Sequence, residues 1–125
     1  MLRNTQKKIC FVGLDNYPVI NKEFGDHYIG GESVQQTLLA RAFRDRGYQV
    51  TMVVKDIGQP NFDEIIEDIR ILKTYKQSDG MPGIRFFYPR MTSIFNALIQ
   101  ADADIYYQSC AGPLTGYVAN FCSRN

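Results

Sequence analysis

A chain of 125 residues with 14 basic against 13 acidic side chains, one histidine and a formal charge of +1 holds one folded domain, not two. That balance supplies no broad field to draw in nucleic acid or an anionic membrane, so partners must be sought at a local site. Hydrophobic residues at 45% and charged residues at 22% exclude intrinsic disorder.

The first element is KICFVG (Lys8 to Gly13), a short apolar run that predicts a central strand covered on both faces. After a polar loop, SVQQTLLARAFRDRG places Val34, Leu38 and Ala42 on one row and Leu39 and Phe43 on the next, which predicts a helix packed through that stripe. Gly47 caps its end. Its start has two readings: a Ser33 and Gln36 capping box, or Gly31 as the N-cap with Glu32 in the first turn. YQVTMVV (Tyr48 to Val54) follows as a second buried strand, completing a βαβ unit. Gly58 and Pro60 mark a turn, and FDEIIED reads either as a helical turn or as an irregular strand. In DIRILKTY, Ile69 and Ile71 alternate with Arg70 and Lys73, which predicts a third strand, more exposed and nearer the sheet edge.

KQSDGMPGIRFFYP is a loop by its Gly and Pro content. In RMTSIFNALIQA, Met91, Ile94, Phe95 and Leu98 recur at helical spacing. DIYYQS (Asp104 to Ser109) predicts a fourth strand, and Pro113 opens a last helix with Leu114, Val118, Phe121 and Cys122 turned inward. The expected fold is therefore α/β: a Rossmann-like parallel sheet of about four strands with helices on both faces, over residues 1–125. The final helix carries no C-cap signal, so a further domain is expected beyond Asn125.

Three cysteines without paired spacing argue against a disulfide framework and a zinc site; Cys10 and Cys122 are expected to be buried thiols, and Cys110 lies in a turn. The amino terminus, MLRNTQKK before a short apolar run, lacks the form of a signal peptide. No stretch approaches the ~20 apolar residues of a membrane helix. A cytoplasmic location is the expectation.

Ligands of open α/β sheets bind beyond the carboxyl ends of the strands. The loop from Leu14 to Glu32 overhangs that edge. It lacks G-x-G-x-x-G directly after the strand, which speaks against NAD, and no P-loop motif occurs. Instead Gly30 and Gly31 arrive at the start of a helix, where backbone N–H groups and the helix dipole favour an anion. Two glycines that merely turn the chain are the competing reading.

Together, KICFVG and IGGESVQQTLLARAFRDRGYQVTMVV resemble the amino-terminal domain of GT-B glycosyltransferases of family 4, and ADADIYYQSCAGPLTGYVANFC resembles the later strand-to-helix segment of that domain. The likeness is closest from Lys8 to Val54. It implies one half of a two-domain, retaining enzyme that takes its sugar from a nucleotide-sugar donor and needs no metal or other cofactor. This half would face the acceptor, with the donor-binding domain absent from the chain. Gly30 and Gly31, with Glu32 beside them, would face the donor sugar and its diphosphate, and the residues given would be inactive alone. Only a lipid acceptor would add peripheral membrane contact.

Relatives place a histidine after the fourth strand, where this chain has Tyr107, Gln108 and Ser109, so no imidazole carries over. Acceptor-side candidates are Gln108, Ser109, Arg90 and the single histidine, His27; a solvated His27 and surface roles for Arg85 and Arg90 stand beside that reading. Asp102 and Asp104 precede the fourth strand, away from the cleft, and suit turn and cap roles. Glu64, Glu67 and Asp68 read as a solvated face. The competing class is a stand-alone Rossmann-like module that grips a phosphorylated metabolite or a partner protein at the same helix end.

Overall fold

A computed structural model describes residues 6–25, 30–76, 90–108 and 113–124, and in it the KICFV run forms a strand inside the sheet. This strand, β1 (Lys8–Val12), has Cys10, Phe11 and Val12 wholly buried. It lies between β2 (Gln49–Asp56) and β5 (Ile105–Tyr107), parallel to both. On the far side of β2 comes β4 (Ile69–Lys76), also parallel, and outside it β3 (Asp63–Ile66), which runs antiparallel. The spatial order is β3-β4-β2-β1-β5. Its four parallel strands, numbered among themselves, read 3-2-1-4, the arrangement of a Rossmann-like half sheet with its switch point beside β1.

Helices cover both faces. Ahead of them in the chain come α1 (Tyr17–Ile20) and a 3-10 turn, Lys22–Phe24, inside the stretch expected to be a loop. Both α1 and α2 (Gly31–Asp45) pack on one face over Ile9, Phe11, Met52, Val54 and Ile71. On the other face, α3 (Thr92–Ala101) and α4 (Pro113–Arg124) pack over Cys10, Val12, Val53 and Leu72. Adjacent strand residues thus feed two separate cores, which is why β1 and β2 are continuously apolar. Each large side chain buried here contributes about 1.5–3 kcal/mol.

Several expectations need correction. The sheet has five strands, and FDEIIED supplies an antiparallel one. Its pairing shields β4, so the DIRILKTY strand lies one strand in from the edge and is buried, with Ile69, Ile71 and Leu72 at most 2% exposed. In α2 the inward face is Ser33, Gln36, Thr37 and Ala40, while Val34 and Leu38 are 39% and 58% exposed. Ala42 is exposed too, and only Leu39 and Phe43 of the expected stripe reach the core. The Ser33–Gln36 capping box does not form, and the cap lies one residue before Gly31: Gly30 is the N-cap, in extended conformation, with Glu32 in the first turn as expected and no side chain capping the helix. Cys10 is buried, and burial pushes its thiol far up; Cys122, by contrast, is exposed. Cys110, Arg85, the side chain of Leu114 and most of the KQSDGMPGIRFFYP loop lie outside the described residues.

The acidic cluster is engaged. Glu67 takes a two-pronged hydrogen bond from Arg41 at 3.0 Å per contact and a longer one from Arg44, which holds its carboxyl below the ordinary range. Glu64 accepts from the Tyr17 hydroxyl at 2.9 Å. Glu67 and Asp68 form the two-residue loop of the β3–β4 hairpin, with φ of +53° and +64°. Left-handed backbone costs an L-residue at both positions, and hairpins of this kind favour glycine at the second. Asp68→Gly is therefore expected to stabilise the fold by about 0.5–1 kcal/mol, after the greater freedom of glycine in the unfolded chain is subtracted. A thermal melt measures it as a rise of a few degrees. A drop in the midpoint would show that the Asp68 side chain contributes more than its backbone costs.

Candidate functional site at the carboxyl edge of the sheet

The four parallel strands end on one side, and α2 begins there: Gln36, in its second turn, hydrogen-bonds to Asn16, just past the end of β1. From that point α2 runs back along the sheet to Gly47, whose φ of +92° ends the helix and whose carbonyl accepts from Gln6 before β1. The amino end of α2 is thus fixed over the end of the central strand.

Gly31 stands open at that position. A Cβ placed on it would meet nothing within 4 Å. Gly30 precedes it with φ −96° and ψ 162°, and its carbonyl accepts the first helical bond, from Val34 N at 3.2 Å. The N–H groups of a first helical turn have no intrahelical acceptor, and a glycine cap brings no side chain to serve them. They point with the positive end of the helix dipole toward the edge where a ligand of this fold would lie. Glu32, next in the turn, is exposed.

Beneath this elbow is a packed polar floor that sequence reasoning missed. Asn16 Nδ2 donates to Gln36 Oε1 at 2.8 Å, with the two residues 1% and 3% exposed. Gly13 lies against both: a Cβ there would overlap Asn16 Nδ2 and Gln36 Oε1 and come within 2.7 Å of Asn16 Cγ. Thr37 Oγ1 donates to Ser33 O at 2.7 Å, which satisfies another buried hydroxyl on the same face. The signal was present in the spacing of positions 33, 36, 37 and 40, a helical face disguised by polar residues.

Other candidates approach from neighbouring elements. Gln108 directly follows Tyr107, which pairs with Phe11 of β1, and its Oε1 accepts from Thr115 Oγ1 of α4 at 3.1 Å. Arg90, just ahead of α3, stacks over the Tyr75 ring near the end of β4, with its Cζ 5.0 Å from the centroid. Burial raises the Tyr75 phenol, the Arg90 charge opposes this, and Asp15 adds to it. Asp15 is itself paired with Lys55 at 3.1 Å. Gly30, Gly31, Glu32 and Gln108 therefore share the edge around β1, whereas Arg90 stands farther along it, over β4. His27 and Ser109 lie outside the described residues. Asp102 and Asp104 take the expected cap roles at the opposite edge: Asp102 ends α3 at φ +45°, and Asp104 Oδ2 accepts from Lys8 N at 3.0 Å. Tyr106 and Tyr107 pack toward opposite cores, with the Tyr106 hydroxyl donating to Leu98 O at 2.8 Å.

A cavity of about 540 Å³ opens at that amino edge, between Lys8, Gln49, Asp68, Arg70 and Asp102. Its arginine is held by Asp63 at 2.8 Å and its lysine lies 4.0 Å from Asp102, so we place the candidate site at the carboxyl edge despite the size of this groove. Among the described residues, no three His, Cys, Asp or Glu side chains gather to hold a metal, and no helix is long and apolar enough to cross a membrane.

Fold and site together define a Rossmann-like α/β domain with an open glycine elbow at the carboxyl edge of its sheet. Comparisons with protein-family models, with curated proteins and with solved structures found no match to this chain.

Proposed function

We propose that this domain is the acceptor-side half of a GT-B, family-4-like retaining glycosyltransferase that draws its sugar from a nucleotide-sugar donor. The observation that carries the proposal is the open Gly31 at the amino end of α2, above the end of the central parallel strand. In this reading a second domain presents the donor, and the free amides of the α2 elbow meet its diphosphate. Negative charge grows on that diphosphate as the glycosidic bond breaks, and fixed N–H dipoles stabilise it without reorganising. Missing side chains at Gly30 and Gly31 allow the approach. Glu32 borders the donor sugar, and Gln108, Ser109, Arg90 and His27 belong to the acceptor side. The enzyme works in the cytoplasm and takes no metal.

Calorimetry of the complete protein against a panel of nucleotide sugars, with transfer assays of this chain alone, tests the proposal. The complete protein is expected to bind one class of donor, and the isolated chain to transfer nothing. Turnover by the isolated chain overturns the two-domain division. Binding of a phosphorylated metabolite, with no response to any nucleotide sugar, points instead to a stand-alone binding module.

A further inference from the structure

We infer that Asn16 and Gln36 form a positioning strut, which sets where the amino end of α2 stands over β1 without touching a ligand. Two primary amides are buried here at 1% and 3% exposure and joined by a bond of 2.8 Å, where apolar groups of similar shape are the usual filling. An apolar pair, however, has no preferred direction, whereas a hydrogen bond fixes both distance and orientation. The strut bridges the two ends of the stretch from Leu14 to Gly30, and Gly13 is the residue that leaves room for it. Tyr17, next to Asn16 and 1% exposed, ties the same segment to β3 through Glu64, and its hydroxyl also accepts from Asn21 Nδ2 at 2.9 Å. The first segment after β1 is therefore anchored at neighbouring residues to two elements, α2 and the hairpin. Its consequence for function rests on the glycosyltransferase reading above; its consequence for the helix does not.

The test separates position from stability. Gln36→Met removes the bond at nearly constant volume, and Asn16→Leu/Gln36→Met replaces both amides by apolar groups of similar shape. The amides of Val34 to Thr37, the first with intrahelical partners, are followed by hydrogen exchange, the fold by thermal melting, and the elbow by titrating inorganic pyrophosphate against the Gly30 and Gly31 amide resonances. With a strut, the single variant exchanges at least tenfold faster at Val34 to Thr37 while the β1 and β2 amides keep their protection. The double variant regains melting temperature but not that local protection, and both variants bind pyrophosphate several-fold more weakly. Protection that returns in step with stability in the double variant overturns the inference. So does unchanged exchange in the single one. If pyrophosphate fails to shift the wild-type glycine amides, the donor reading falls, and the strut is judged on exchange alone.

Discussion

Replacing Gly13 with alanine is expected to cost about 3 kcal/mol and to lower the melting midpoint by roughly 10 °C, although it adds a single methyl group. The new carbon overlaps both amides of the Asn16–Gln36 pair, and neither can retreat: Asn16 is 1% exposed and Gln36 is held on the inner face of α2. Either the backbone at the end of β1 shifts, or the bond breaks and leaves buried amide groups to be served elsewhere. Gly13 N also donates to Val53 O at 3.1 Å, so a backbone shift disturbs the β1–β2 ladder as well. Gly31→Ala provides the control. It adds the same methyl group where nothing lies within 4 Å, and it should change stability by no more than about 0.5 kcal/mol. Equal effects of the two substitutions in a denaturant titration would contradict the packing described for Gly13.

A second large loss is expected at the carboxyl end of the β2–β4 pairing. Lys73 and Asp56 have side chains only 7% and 11% exposed, with Nζ 3.6 Å from Oδ2. The ammonium also donates to Gln59 O at 2.6 Å and lies 4.4 Å from the centre of the Phe62 ring, while Asp56 Oδ1 accepts from Gly58 N at 2.9 Å. Asp56→Ala removes the only anion paired with this lysine among the described residues and frees the turn at Gly58, whose φ is +109°. Leaving a charge with so little access to water costs about 3 kcal/mol, more than the pair itself contributes. Asp56→Ala/Lys73→Met should therefore recover a large part of the loss, and a double-mutant cycle on unfolding free energies measures the recovery. A cost below about 1 kcal/mol for the single variant would mean that the pair behaves as a solvated surface bridge.

What could be read in advance follows from which forces leave a mark on sequence pattern. KICFV and VTMVV were legible because strands buried on two faces must be apolar throughout. The 3.6-residue stripe of Ile94 and Leu98 was legible for the same reason on α3, where Met91 and Phe95 complete the packing. The β3 strand was not, since FDEIIED has four acids in seven residues, and its extended form comes from pairing with β4 and from the Glu67–Asp68 turn. On α2 the pattern misled. Val34 and Leu38 suggested an inward row, but the residues over the end of β1 are small or amide-bearing, because the floor there is polar and close. The glycine elbow was placed correctly at the start of α2 and at the carboxyl edge. Its cap was off by one residue, and the role of Gly13 went unseen because its reason is a contact between residues 20 positions apart.

Transfer kinetics of Gly31→Val in the complete protein test the central claim most directly. A Cβ at Gly31 meets nothing within 4 Å, so the melting temperature should stay within a few degrees of wild type, while a methyl pair beside the α2 amides keeps a diphosphate away and lowers turnover by roughly a hundredfold or more. Unchanged turnover in a folded Gly31→Val protein would contradict the claim that these amides receive the donor.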